Sequence, residues 1–322
     1  MMKIEIYGIR LPEIKKGDNI GKIICENFKL KDGDIVVVTS KIVSKAEGRY
    51  IKLDEIKVSK EAEKIAEKVG KDAKIVEIIL RLSKIVGTIP LYRLVVEGII
   101  DLKDISKSPQ EALKLIEKDK CLLITLIDNQ IYTDAGIDFS NCPLGYVCLP
   151  PEDPMRSAKK IREEVKECSS KNVAVLISDT EVFFGGSLEV CRGYAGICPT
   201  KREFAAPDIY GRLKYGGAEA LVHEICNAAS LVMGQTMEKV PVAVVRGVIY
   251  EDCKVKDIDY KKALKIIAKE TKYPKIKDAN KVKKSIPIPF AMPLLGLLIL
   301  VLLIYPSYLL FSFSSNSLNP KQ

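Results

Sequence analysis

Three kinds of apolar pattern run along the chain. Short continuous apolar runs, Ile35–Val38, Cys121–Ile127, Val173–Ile177 and Val240–Val245, are bounded by turn residues and read as buried strands. Lys3–Tyr7 alternates and reads as a strand with one face exposed. Asn19–Phe28, Ser59–Arg81, Ala158–Cys168, Ala218–Gly234 and Tyr260–Thr271 repeat apolar residues at helical spacing, with Gly70 breaking the second into two helices and Gly234 able to end the fourth. Ser157 is positioned to cap the third of these stretches. Ser108-Pro109-Gln110-Glu111 has the form of a capping box with proline at the first helical position and starts a helix to about Lys118. Asp128-Asn129 turns a hairpin after Ile127. Ile85–Ile105 is apolar and partly β-branched, which favours strands, and Phe183–Ser187 reads as a flexible loop.

The end of the chain departs from this pattern. Residues 286–313 carry no charge and are dominated by Leu, Ile, Pro and aromatics, long enough to cross a bilayer, with Pro293 and Pro306 bracketing or kinking the span. Lys275, Lys277, Lys281, Lys283 and Lys284 precede it and only Lys321 follows, which predicts a single-pass C-terminal anchor with the large N-terminal part in the cytoplasm. The expected organisation is a large N-terminal domain over 1–255, a charged helix and Lys-rich linker over 256–285, the anchor over 286–313 and a short tail over 314–322.

Composition narrows the classes. With 322 residues, 47% apolar and 29% charged, the chain can bury a large core in two domains or one. The net charge of +9 comes from interleaved Lys and Glu with no basic-aromatic pattern, so nucleic acid is not an expected partner. Nine cysteines without C-x-x-C predict reduced thiols in a cytosolic compartment, with a Cys191–Cys198 pair as the alternative. The one histidine, His223, cannot build a His-based zinc site and reads as a surface or satisfied core residue.

The chemistry-bearing stretches sit at strand ends. Tyr132–Asn141 holds Asp134 and Asp138 around Gly136, followed by Ser140-Asn141. Ser178-Asp179-Thr180 ends the Val173–Ile177 strand. Carboxylates and a hydroxyl at such ends suit a hard cation, Mg²⁺ or Mn²⁺, and convergence of Asp138 and Asp179 on one metal is the central expectation. Thr39-Ser40-Lys41 and Ser44–Arg49 place hydroxyls, lysines and a glycine beyond a buried strand, which suits phosphate, although the spacing is not a P-loop.

Taken together, Val38–Arg49, Ala135–Asn141, Ser178-Asp179-Thr180, Asp208–Arg212 and Ala229–Gly234 resemble, in order, the signatures of the coenzyme F420-0:gamma-glutamyl ligase family. The resemblance covers about residues 3 to 250. It implies the two-lobed α/β fold of that family, an intertwined homodimer, and use of GTP with Mg²⁺ or Mn²⁺ and K⁺ as a further cation. It also implies ligation of L-glutamate, or another amino acid, through its amine to a small-molecule carboxylate activated as an acyl phosphate. By the same resemblance Asp138, Asp179 and Thr180 are metal ligands, and Leu11, Pro12, Glu13, Ile14 and Asn141 contact nucleotide. Ser40, Lys41 and Lys45 match phosphate-contacting positions, with Lys45 stabilising the transferred group.

The chain also departs from the family. Glu181–Gly186 lacks the arginine that commonly follows the Asp-Thr pair, and Arg192 is the candidate to replace it. Gln235 stands where an acidic residue is usual, His223 where an aspartate is usual, and Val86–Glu117 is longer. A ligase with an altered acceptor and a membrane-tethered nucleotide- or metal-binding paralogue without turnover both remain open at this point.

Overall fold

A computed structural model describes residues 3–128, 130–183, 186–234, 238–253, 255 and 266. The chain forms two compact units, the first from Met1–Ile56, Gly136–Glu181 and Leu188–Lys256, the second including Lys57–Ala135 and Val182–Ser187. The strands are β1 (Glu5–Ile9), β2 (Ile35–Thr39), β3 (Tyr50–Lys52), β4 (Lys84–Ile89), β5 (Leu122–Ile127), β6 (Gln130–Thr133), β7 (Tyr146–Cys148), β8 (Ala174–Phe183), β9 (Gly186–Ala195) and β10 (Val242–Arg246). The α-helices are α1 (Ile20–Asn27), α2 (Ser40–Glu47), α3 (Lys60–Val69), α4 (Ala73–Leu82), α5 (Leu91–Val96), α6 (Leu102–Ile105), α7 (Pro109–Lys118), α8 (Pro154–Ser169) and α9 (Leu221–Ser230).

The first unit is built on a five-stranded sheet in the order β1-β10-β2-β8-β9, with β2 parallel to β8. Three of the four apolar runs expected to be buried, Ile35–Val38, Val173–Ile177 and Val240–Val245, supply its central strands, and their period of two divides the core between two faces. Val36, Val38, Val175, Ile177, Val242 and Val244 pack with Ile24 of α1 and Ile161 and Val165 of α8. Ile35, Val37, Ala174, Leu176, Ala243 and Val245 pack with Leu221, Val222 and Ile225 of α9. Each Val, Leu or Ile side chain among them, removed from water, contributes about 1.5–3 kcal/mol. Asp34, fully buried before β2, receives Arg246 at the end of β10 through two hydrogen bonds of 2.7 Å, which satisfies a charge the core could not otherwise hold. A Cβ at Gly193 would lie 2.2 Å from the Pro154 carbonyl oxygen, so only glycine lets β9 lie this close to the start of α8.

The second unit pairs a three-stranded antiparallel sheet, β4-β5-β6, with helices. The two helices expected over Ser59–Arg81 are α3 and α4, separated by left-handed Gly70. The expected hairpin turns at Asp128 (φ 52°). α7 starts at Pro109 as its motif predicts, although Ser108 makes no side-chain cap.

Several expectations need correction. Only β4 of the Ile85–Ile105 stretch is strand, since Pro90 ends it and α5 and α6 follow. Asp153, not Ser157, caps α8, accepting from the Arg156 N–H at 2.9 Å, while Ser157 donates to Glu47 from within the helix. The strand carrying Asp179 runs on to Phe183 and β9 starts at Gly186, so most of the expected loop is a long hairpin whose pairing the local glycines conceal. α9 spans only Leu221–Ser230.

The cysteines also differ from the reduced state expected. Cys25 of α1 is bonded to Cys168 of α8, and Cys198 to Cys253, while Cys191 remains a buried thiol. These partners lie 143 and 55 residues apart in sequence, beyond the reach of spacing rules. Among the described residues no helix is long and apolar enough to cross a membrane. The expected anchor over 286–313, the linker, most of the Tyr260–Thr271 helix and Gln235 lie outside the described residues.

Candidate functional site

The parallel pairing of β2 and β8 creates the site. Its register sets Thr39 opposite Ser178, so Ser40, where β2 gives way to α2, stands beside Asp179, where β8 continues past the end of its neighbour. The Ser40 hydroxyl donates to Asp179 Oδ1 at 2.6 Å. Beyond β2 the chain turns directly into α2, whose first turn carries no acidic residue and receives no side-chain cap from Thr39. Its N–H groups and positive dipole end therefore favour an anion. Gly48, in the left-handed conformation (φ 69°), closes the helix.

One helical turn separates Lys41 from Lys45, which places both on one side of α2. Lys41 Nζ lies 2.6 Å from Asp138 Oδ2 and also meets the Ser140 hydroxyl. Lys45 is buried, with Glu13 Oε1 3.9 Å from its ammonium. Asp138 follows a turn in which Asp134, Ala135 and Gly136 are all left-handed (φ 48°, 55° and 68°). Two non-glycine residues in that region cost about 1–2 kcal/mol each. Thr125, whose hydroxyl accepts from the Ala135 N–H at 3.0 Å, helps hold the conformation. Beyond the turn, Asp138 exchanges two backbone hydrogen bonds with Cys148, and its Oδ1 accepts from the Ser140 N–H at 2.7 Å.

Asp179 is held from the β9 side as well. Arg192, 3% exposed, lies with Nε 3.6 Å from Asp179 Oδ2 and pairs its terminal nitrogen with Glu181. Burial pushes the Asp179 carboxyl above its ordinary range, with Arg192 and Ser40 opposing the shift and the nearby Glu189 and Asp138 adding to it. Strand alternation turns Ser178 and Thr180 to the other face, where both hydroxyls donate to buried Glu189, Thr180 at 2.7 Å. Asn227 of α9 clasps the Glu189 backbone through its N–H (3.0 Å) and carbonyl (2.8 Å). His223 Nδ1 accepts from the Cys191 N–H at 3.0 Å, and burial lowers its pKa, so of the two readings, surface or satisfied core, it is a half-buried residue with its hydrogen bond made.

The structure thus brings together Ser40, Lys41, Asp138 and Asp179, with Lys45 on the same side of α2. Of the Leu11–Ile14 segment, Leu11 and Ile14 are spent in the hydrophobic core, and only Pro12 and Glu13 are exposed. Asn141 is exposed and left-handed (φ 54°). Asp208 accepts from the Tyr210 and Arg212 N–H groups in an exposed turn. Sequence reasoning missed Glu181 and Glu189. Their signal was present, since acidic residues flanking an aromatic-glycine stretch face inward once it is read as a hairpin.

The oxygen donors of Asp138 and Asp179 are of the kind a hard divalent cation takes, and burial leaves Asp179 in need of positive charge. The Thr180 hydroxyl is engaged with Glu189. Among the described residues no group of three or more His, Cys, Asp or Glu side chains is arranged to hold a metal by itself.

The sequence model of the F420-0:gamma-glutamyl ligase family matches residues 8–247. Coenzyme F420:L-glutamate ligase of Methanothermobacter thermautotrophicus is 34% identical over 255 residues, 76% of this chain and 90% of that protein. The enzymes of the same name from Methanopyrus kandleri and Methanosarcina mazei are 33% and 31% identical, covering 73% and 77% of this chain and 83% and 88% of their own lengths. The chain belongs to the F420-0:gamma-glutamyl ligase family.

Proposed function

We propose that this protein is a GTP- and divalent-metal-dependent amide ligase that joins L-glutamate, through its amine, to a carboxylate of a coenzyme F420 precursor. The relatives' activity supports the substrates. The observation that carries the reading is the junction of β2 with α2 alongside β8, where Lys41 and Ser40 in the first turn of α2 meet Asp138 and Asp179, with Lys45 one turn further along α2.

A carboxylate resists attack by an amine because its oxygen is a poor leaving group. In the proposed reaction an acceptor carboxylate oxygen attacks the γ-phosphorus of GTP, and GDP departs with the electrons of the broken P–O bond. The glutamate nitrogen then attacks the acyl carbon. Phosphate leaves with the C–O electrons, and the amine gives up a proton. Lys41, Lys45 and the first N–H groups of α2 would hold phosphate oxygens and stabilise charge on the transferred group. Asp138 and Asp179 would hold the divalent cation, which when bound supplies Lewis-acid neutralisation of phosphate charge. Ser40 and Arg192 fix the Asp179 carboxylate. Positioning and electrostatics account for the catalysis without a covalent protein intermediate.

The test is calorimetric titration of the full chain, in detergent-containing buffer, with GTP in the presence and absence of Mn²⁺, followed by assay of GDP formation with acceptor and L-glutamate. Binding strengthened by Mn²⁺ and lost in Asp138→Asn, with GDP formed only when both substrates are present, is expected. Absence of Mn²⁺-dependent GTP binding in the wild type would overturn the reading.

A further inference from the structure

Each carboxylate of the site faces a protein cation, but the two cations are held differently. Lys41 meets Asp138 at 2.6 Å from a long, partly exposed side chain that can turn toward an arriving phosphate. Arg192 meets Asp179 at 3.6 Å, is 3% exposed, and is anchored by Glu181. Its planar guanidinium, packed within the β8–β9 hairpin, has no solvent into which to withdraw.

We propose that the Glu181–Arg192 pair governs metal loading, its fixed guanidinium keeping the affinity of the protein alone for a divalent cation low until nucleotide arrives. This rests on the assignment of Asp179 as a metal ligand. A divalent cation approaching Asp179 is repelled by a guanidinium that cannot move aside, and Glu181 is withheld from it by the same residue. The phosphates of a nucleotide draw Lys41 away from Asp138 and add the negative charge the site lacks, so metal and nucleotide bind cooperatively. Arg192 touches no reacting atom in this scheme. It is a positioning residue acting through Asp179 and Glu181.

The experiment is titration of the full chain with Mn²⁺ alone, free Mn²⁺ being read by its paramagnetic resonance signal, and again with GTP present. Wild type, Arg192→Met, the double variant Glu181→Gln/Arg192→Met and Asp179→Asn are compared, with thermal melting as the check on folding. Arg192→Met is expected to bind Mn²⁺ alone at least about tenfold more tightly, because one fixed positive charge is gone and a third carboxylate is released. The double variant, which removes the buried charges together and so guards against misfolding, is expected to bind more tightly than wild type and less tightly than the single variant. GTP should strengthen Mn²⁺ binding less in both than in wild type. Unchanged or weaker Mn²⁺ affinity in the double variant would overturn the proposal. If Asp179→Asn abolishes metal binding while the arginine variants match wild type, only the loading role fails. If Asp179→Asn leaves GTP-dependent Mn²⁺ binding intact, the assignment beneath it fails as well.

Discussion

Asp134 and Asp138 belong to one turn-forming stretch, yet the fold uses them in opposite ways. In the second unit Asp134 takes the Leu123 N–H on one oxygen at 2.8 Å and Lys71 on the other at 3.0 Å. Lys71 has a side chain only 1% exposed and also reaches Asp119 at 2.7 Å. In the first unit Asp138 is 40% exposed and meets the half-buried Lys41. A buried ion pair specifies structure because neither partner can be removed without stranding the other, whereas a half-exposed pair can exchange partners with a ligand. Identical side chains a few positions apart thus serve folding in one unit and binding in the other.

The sharpest way to break this contrast is Lys71→Met. It leaves two carboxylates in the second unit without their ammonium and should destabilise that unit by about 3–5 kcal/mol, read as a lowered urea midpoint. Stability within 1 kcal/mol of wild type would mean the triad is not structural. Asp138→Asn should do the reverse, lowering the rate of GDP formation by about 100-fold with the urea midpoint preserved. Lys45→Met comes next, with an expected rise of about tenfold in the KM for GTP and a smaller fall in kcat. A variant with unchanged KM would remove Lys45 from the phosphate site.

The smallest effect concerns Glu77 on α4. It accepts from the Ser59 N–H at 3.0 Å, at the start of α3, and from Arg81 at 2.8 Å. Hydrogen bonds from Ser59, with support from Arg81, pull its carboxyl from 4.5 down to about 2. A depressed folded pKa stabilises the protein above the unfolded value, and that stability is lost as pH falls toward the folded one. The advantage of wild type over Glu77→Gln in urea should therefore be full above pH 4.5 and shrink toward pH 2. A difference independent of pH would show that Glu77 acts by packing rather than by charge.

What could be read from sequence follows the range of the forces involved. The Ile35–Val38 strand, the α3–α4 break at Gly70 and the hairpin at Asp128 are local, and their patterns were explicit. The convergence of Asp138 and Asp179 near α2 was legible through motifs, but their cations were not. Lys41 and Asp138 are far apart along the chain, and although Arg192 stands out in the sequence as the substitute for a missing arginine, its anchoring by Glu181 does not. Asp134 is not among the expected metal ligands, but its structural role was not legible, because its partner Lys71 lies 63 residues away. Local glycines masked the β8–β9 hairpin, and the apolar spacing of Leu11 and Ile14 gave no sign that they enter the core.

The parallel neighbours β2 and β8 also set the order in which this protein can assemble. The Ser40–Asp179 hydrogen bond closes across 139 positions, whereas β5 and β6 meet through a tight turn and α3 and α4 across a single short break. Contacts of low sequence separation form first, and long-range strand pairing waits for the slow closure of the chain between its partners. During synthesis the hairpin and helix pair can form while β8 is still within the ribosome. The phosphate-facing end of the sheet is then completed late, so a stalled or truncated chain ending before β8 would carry folded local elements and no site.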